Sequence, residues 1–201
     1  MAKRSRGKTN LPARPSSNLV RGAKERWKTV EKYGDQQKAL GFLFREHCPM
    51  NNDIAEVLLK VTVLNAFFHT NIYEPHPVAK HIVALKPDDR IAAGDVSLVE
   101  DIAAIPRGDR FYSFASKYCN QHNPDAFPIY DRFVGKMLLH FRSVDGFADF
   151  KSADLKQYAR FIEIVQAFRK HYGLEAFTLR EIDRYLWFAG KEAFGRKTPA
   201  S

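Results

Sequence analysis

The chain has 201 residues, 45% hydrophobic and 13% aromatic, enough apolar side chains for one sizeable core. No apolar run approaches the roughly 18 residues of a membrane span, and two cysteines, Cys48 and Cys119, exclude a disulfide framework and a four-cysteine zinc site. The net charge of +9 is concentrated at one end: residues 1–28 hold nine basic groups against the single acid Glu25, leaving 23 basic and 22 acidic groups in the remainder. The opening MAKRSRGKTN leads into no apolar stretch, so no secretory signal is expected. The expectation is a cytoplasmic protein, nucleoid-associated or nuclear according to its source, monomeric and not bound to a membrane.

In chain order, residues 1–18 combine Pro, Gly, Ser and positive charge and read as a disordered arm, suited to phosphate or to solubility alike. Residues 19–195 read as a single helical domain and 196–201 as a tail. Leu19, Val20, Ala23, Trp27 and Val30 recur at helical spacing until Gly34-Asp35 interrupts them. A second helix is expected over 36–47, ahead of Pro49. A third, the most apolar, is expected to be capped by Asn51 or Asn52, with Ile54, Val57, Leu58, Val61, Leu64 and Phe68 inward. Pro77 suits the start of a short helix to Leu85, and Asp95 the cap of another ending before Pro106.

After the turn Ile105-Pro106-Arg107-Gly108-Asp109-Arg110, a helix is predicted from Phe111 to His122. Two prolines in Asn123-Pro124-Asp125-Ala126-Phe127-Pro128-Ile129-Tyr130 force an extended link, and Asp131 is placed to cap the next helix. Asp145-Gly146 turns the chain, Gly173 closes a helix begun near Asp154, and Thr178 with Glu181 forms a capping box for the last one. The fold class is therefore all-α, multihelical, with eight to nine helices. The seven histidines form no metal-ligand pattern, and no metal or cofactor is expected.

The chemistry concentrates in residues 111–134. On the helix, Phe111, Phe114, Ala115, Tyr118, Cys119 and His122 share an apolar face, and Ser113, Lys117, Asn120 and Gln121 a polar one. An antiparallel return would bring Asp131 to that polar face, so that an amine and a carboxylate converge on a cleft. Tyr130, Phe133 and Trp187 are candidate stacking groups. On local sequence alone, Asp131 is equally a helix cap and Lys117 a solvated charge.

The run from Ser113 to Val134, SFASKYCNQHNPDAFPIYDRFV, resembles the core of the helix-hairpin-helix (HhH-GPD) DNA glycosylases, particularly the 8-oxoguanine-glycosylase-fold proteins. The resemblance extends more loosely over residues 53–190, through the helix ending His69-Thr70-Asn71-Ile72 and the closing segment TLREIDRYLWFAGK. It implies an all-α glycosylase fold with a degenerate hairpin, and a damaged DNA duplex as partner. It further implies that a base, such as an oxidised purine, is flipped out and excised, with or without an AP-lyase step. On that resemblance Lys117 is the imine-forming lysine and Asp131 the catalytic carboxylate. Ser113, Gln121, Tyr130, Arg132, Gly108, Arg110 and Arg107 are the substrate- and DNA-contacting candidates. The hairpin keeps only Gly108, Phe133 stands where the family often has His, and Ser113 rather than Lys117 is an alternative match to the lysine position. A helical nucleic-acid-binding protein without catalytic activity, acting in regulation or mobile-element defence, is the alternative.

Overall fold

A computed structural model describes residues 11–106, 108 and 110–195; Arg107, Asp109 and residues 1–10 and 196–201 lie outside them. The described residues form ten α-helices: α1 (Ser17–Thr29), α2 (Glu31–Gly41), α3 (Ile54–Phe68), α4 (Pro75–Leu85), α5 (Asp88–Ala92), α6 (Leu98–Ala103), α7 (Tyr112–His122), α8 (Arg132–Asp145), α9 (Tyr158–His171) and α10 (Leu179–Phe194). A π-helical turn, Phe42–His47, continues α2, and a 3-10 turn, Asp154–Lys156, precedes α9. Among the described residues extended pairing is confined to one bridge, Ala104 with Arg110. The chain is all-α as expected, with one or two helices more than expected because the brief α5 is too short to show a periodicity.

Local chemistry explains most helix ends. Ser16, Asp53, Asp131 and Thr178 each accept from a first-turn amide, and Thr178 with Glu181 completes a capping box. Gly146 and Gly173 take the left-handed conformation that ends α8 and α9. Three expectations are corrected. Asp53, not Asn51 or Asn52, caps α3. Gly34 lies inside α2 rather than breaking the chain there, since nothing forces its backbone out of the helical region. The first helix begins at Ser17, and Arg14, from the presumed arm, lies over Tyr172 and 3.8 Å from Asp145.

The principal packings are α8 on α10, α3 on α4, α1 on α10 and α6 on α7. At the centre stands α7, buried at Tyr112 and from Phe114 to Gln121. The polar face of this helix is thus enclosed, so each polar group on it needs an internal partner. The extended link 127–130 supplies many of them. Asn120 donates to the Phe127 carbonyl at 2.6 Å, and the Tyr130 amide donates to the Ser116 hydroxyl at 3.1 Å. From the other side, Tyr158 donates to the Pro128 carbonyl at 2.6 Å. These bonds hold the chain that carries Asp131 firmly against α7.

Candidate active site

Lys117 projects from the buried centre of α7 into a cavity of about 760 Å³ that Asp131 also lines. Its side chain is 4% exposed. The amine donates to the Ser113 hydroxyl, more weakly to the Ser113 and Tyr130 carbonyls at 3.4 and 3.5 Å, and sits 5.6 Å from the Phe68 ring centre. Ser113 in turn donates to the Tyr130 carbonyl at 3.0 Å, so the serine orients the lysine and ties it to the link. Among the described residues no ion pair joins the Lys117 amine to a carboxylate. Burial lowers its pKa, with Asp131 and Asp183 partly opposing that shift. A buried amine held by neutral acceptors loses its proton more readily than a solvated one, which is what a nucleophilic amine needs.

Asp131 is the N-cap of α8, half-buried, with one carboxylate oxygen accepting from the Phe133 amide at 2.7 Å. The helix N-terminus stabilises its negative charge, and the cap directs that charge into the cavity. Capping and a catalytic role therefore coexist in one side chain.

A third ionisable group, Asp183 on α10, faces the same space. It is 5% exposed, and its carboxylate accepts from the Ile129 amide at 3.3 Å. Burial pushes its pKa up to about 7, opposed by the Ile129 bond and by Arg184, Arg180 and Lys117. Sequence reading missed it. The available signal was an acid inside a buried stripe, next to Ile182 and three residues before Leu186.

Aromatic rings and cations frame the opening. Trp27 stacks on Tyr33 with centroids 5.2 Å apart, and Trp187 meets both edge-on. Lys191 lies 4.8 Å from the Trp187 ring, Arg184 4.5 Å from Trp27 and Lys156 4.5 Å from Tyr130. Trp27 and Trp187, half-buried against the core, also line the cavity. The α3–α4 turn supplies His69, Thr70 and Asn71 to the wall. Its backbone is strained, with His69 and Asn71 at φ of 50° and 59°. Asn65 secures it, accepting from Thr70 and the Ile72 amide and donating to the Ile72 carbonyl. Tyr73 just beyond is 93% exposed.

Of the residues singled out from sequence, Lys117, Asp131, Ser113, Tyr130 and Arg132 come together at this cavity, as do Phe133 and Trp187. Arg132 is exposed, with its guanidinium 4.7 Å from the Phe133 ring. Gln121, Gly108 and Arg110 do not line it. Gln121 is 1% exposed and accepts from Gln37 at 3.5 Å. Gly108 stands exposed at φ 94° in the turn between α6 and α7. Arg110 is engaged internally, paired with Glu100 and donating to the Lys156 carbonyl at 3.0 Å. Arg107 lies outside the described residues. Among the described residues no cluster of three or more His, Cys, Asp or Glu side chains is arranged to hold a metal, and no helix is long and apolar enough to cross a membrane.

No solved structure matches the chain. A protein of Haemophilus influenzae, described only as uncharacterized, is 45% identical over 145 residues, covering 70% of this chain and 69% of its own. The family described as the HI_0787_N N-terminal domain matches residues 19–126, a span that contains Lys117 but stops before Asp131 and Asp183. On both likenesses, the chain belongs to the HI_0787_N N-terminal-domain family.

Proposed function

We propose that the protein is a DNA glycosylase with an imine-forming lysine, acting on a damaged base flipped into the cavity between α3, α7, α8 and α10. The observation that carries this reading is Lys117 itself, a buried amine held without an ion pair and opening with Asp131 onto one cavity. Several features support it. The short turn between α6 and α7, closed by the Ala104–Arg110 bridge, stands where a helix-hairpin-helix glycosylase has its hairpin. The helix carrying the lysine, the extended link and the capping carboxylate follow in that family's order. The cavity has aromatic walls for a base and cations at its opening for the flanking phosphates. Tyr73, exposed just beyond the turn that Asn65 secures, is an aromatic placed to enter the stack beside the flipped nucleotide.

In this mechanism, the neutral Lys117 amine attacks the anomeric carbon as the bond to the base breaks, and the Asp131 carboxylate stabilises the positive charge that develops on the sugar. The departing base takes a proton from the adduct nitrogen, and opening of the sugar ring, with the C1′–O4′ bond broken and the second nitrogen proton passing to that oxygen, gives an imine, from which elimination nicks the strand. Borohydride reduction on a duplex with an abasic site or an oxidised purine should trap wild-type protein covalently. Lys117→Ala should abolish trapping, and Asp131→Asn should slow it by about 10²-fold or more. Absence of trapping in the wild type would contradict the reading.

The engagement of Arg110 with Glu100 and the Lys156 carbonyl favours a second reading, a nucleic-acid-binding protein without catalysis, because it withdraws a phosphate-binding group from the hairpin. Salt-sensitive duplex binding without any trapping is its signature.

A further inference from the structure

Two carboxylates, Asp131 and Asp183, line the cavity with Lys117, and the proposed mechanism uses one of them. We propose that Asp183 is a positioning residue that takes the proton from Lys117, leaving Asp131 to serve the sugar. The inference rests on the imine-forming role of Lys117.

The division follows from how each carboxylate is held. Asp131 sits half-buried at a helix N-terminus, bonded to the Phe133 amide at 2.7 Å. Asp183 lies mid-helix on α10, 5% exposed, with the Ile129 amide donating to it at 3.3 Å and, among the described residues, no ion pair. Burial of an unpaired carboxylate and an unpaired ammonium in one cavity penalises both charges. Moving one proton between them, through solvent in the cavity since the two groups do not touch, removes both at once: an N–H bond at the Lys117 nitrogen breaks, an O–H bond forms on Asp183, and the amine keeps the electron pair it needs for attack. Net charge is unchanged, so no charge has to enter from solvent. Burial pushes Asp183 up and Lys117 down, which brings their proton affinities together. The other charged groups acting on the pair are Asp131 at the start of α8 and Arg180 and Arg184 on α10, with Lys32 on α2, His69 after α3, Arg132 on α8, Lys156 before α9 and Lys191 on α10 also lining the cavity. Arg180 is engaged with Gln37 at 2.6 Å and Arg184 lies over Trp27, so neither arginine neutralises Asp183 directly.

Competitive labelling of the DNA-free protein with acetic anhydride, read at Lys117 by peptide mass spectrometry across pH 5–11, tests this. A shared proton gives wild-type Lys117 two steps of rising reactivity, because the pair titrates as a unit. Asp183→Asn, which keeps an acceptor for the Ile129 amide, should leave a single step, and Asp183→Glu should restore two. One identical step in wild type and Asp183→Asn would overturn the proposal. Borohydride trapping on an abasic duplex over the same range should lose its lower-pH step in Asp183→Asn, whereas Asp131→Asn should lower the rate at every pH. A wild type that labels in two steps but never traps would contradict the glycosylase reading and leave the shared proton standing.

Discussion

Lys60 shows how much one side chain can depend on what packs around it. It is fully buried on α3, donating to the Met50 carbonyl at 2.6 Å and to the Asn51 side-chain oxygen at 2.8 Å; Tyr118 donates to that same oxygen, and Asn51 donates to Asp88. Burial lowers its pKa from 10.5 to about 8, so the folded protein sheds this proton before the unfolded chain does. Stability therefore rises as pH climbs from about 8 towards 10.5, by up to about 1.4 kcal/mol per pH unit at most. Lys60→Met should remove that rise and cost about 1–3 kcal/mol at neutral pH through the orphaned Met50 carbonyl; urea titrations at pH 7 and 10 check both. Lys60 and Asp183 share one reason for having escaped sequence reading. Each interrupts an otherwise apolar stripe, Lys60 among Val57, Val61 and Leu64, and a stripe with one charge still scores as amphipathic. Asp131 was legible because a cap is a contact between neighbours along the chain.

At the scale of elements, the site depends on how closely α8 and α10 approach. A Cβ on Gly190 would lie 2.8 Å from the Phe133 carbonyl oxygen and 3.0 Å from Met137. The close packing is made where α8 begins, immediately after Asp131. Gly190→Ala should destabilise the protein by about 1–3 kcal/mol and slow imine trapping as well, because the start of α8 must shift. Gly34→Ala is the matched contrast: inside α2 its Cβ meets nothing within 4 Å, so a gain of up to about 1 kcal/mol is expected. Thermal unfolding of the two variants decides the matter. Most elements were legible from caps, prolines and periodicity. Their assembly was not, because the helical pattern of α7 shows an apolar and a polar face without saying that the link 127–130 covers the polar one.

For the whole molecule, the charge distribution read from sequence separates an N-terminal cationic segment from a near-neutral body. If DNA is the partner, neutralising Lys3, Arg4, Arg6 and Lys8 should reduce the slope of log affinity against log salt by up to about 4, with trapping at saturating DNA unchanged. An unaltered slope would place the phosphate contacts on the body, where Lys156, Arg184 and Lys191 stand around the cavity. The most direct measurement on the central claim is the position of the reduced adduct after borohydride treatment with an abasic duplex, followed by proteolysis and peptide sequencing. The account predicts one modified residue, Lys117; an adduct on Lys156, Lys191 or any other amine, or none at all, would contradict it.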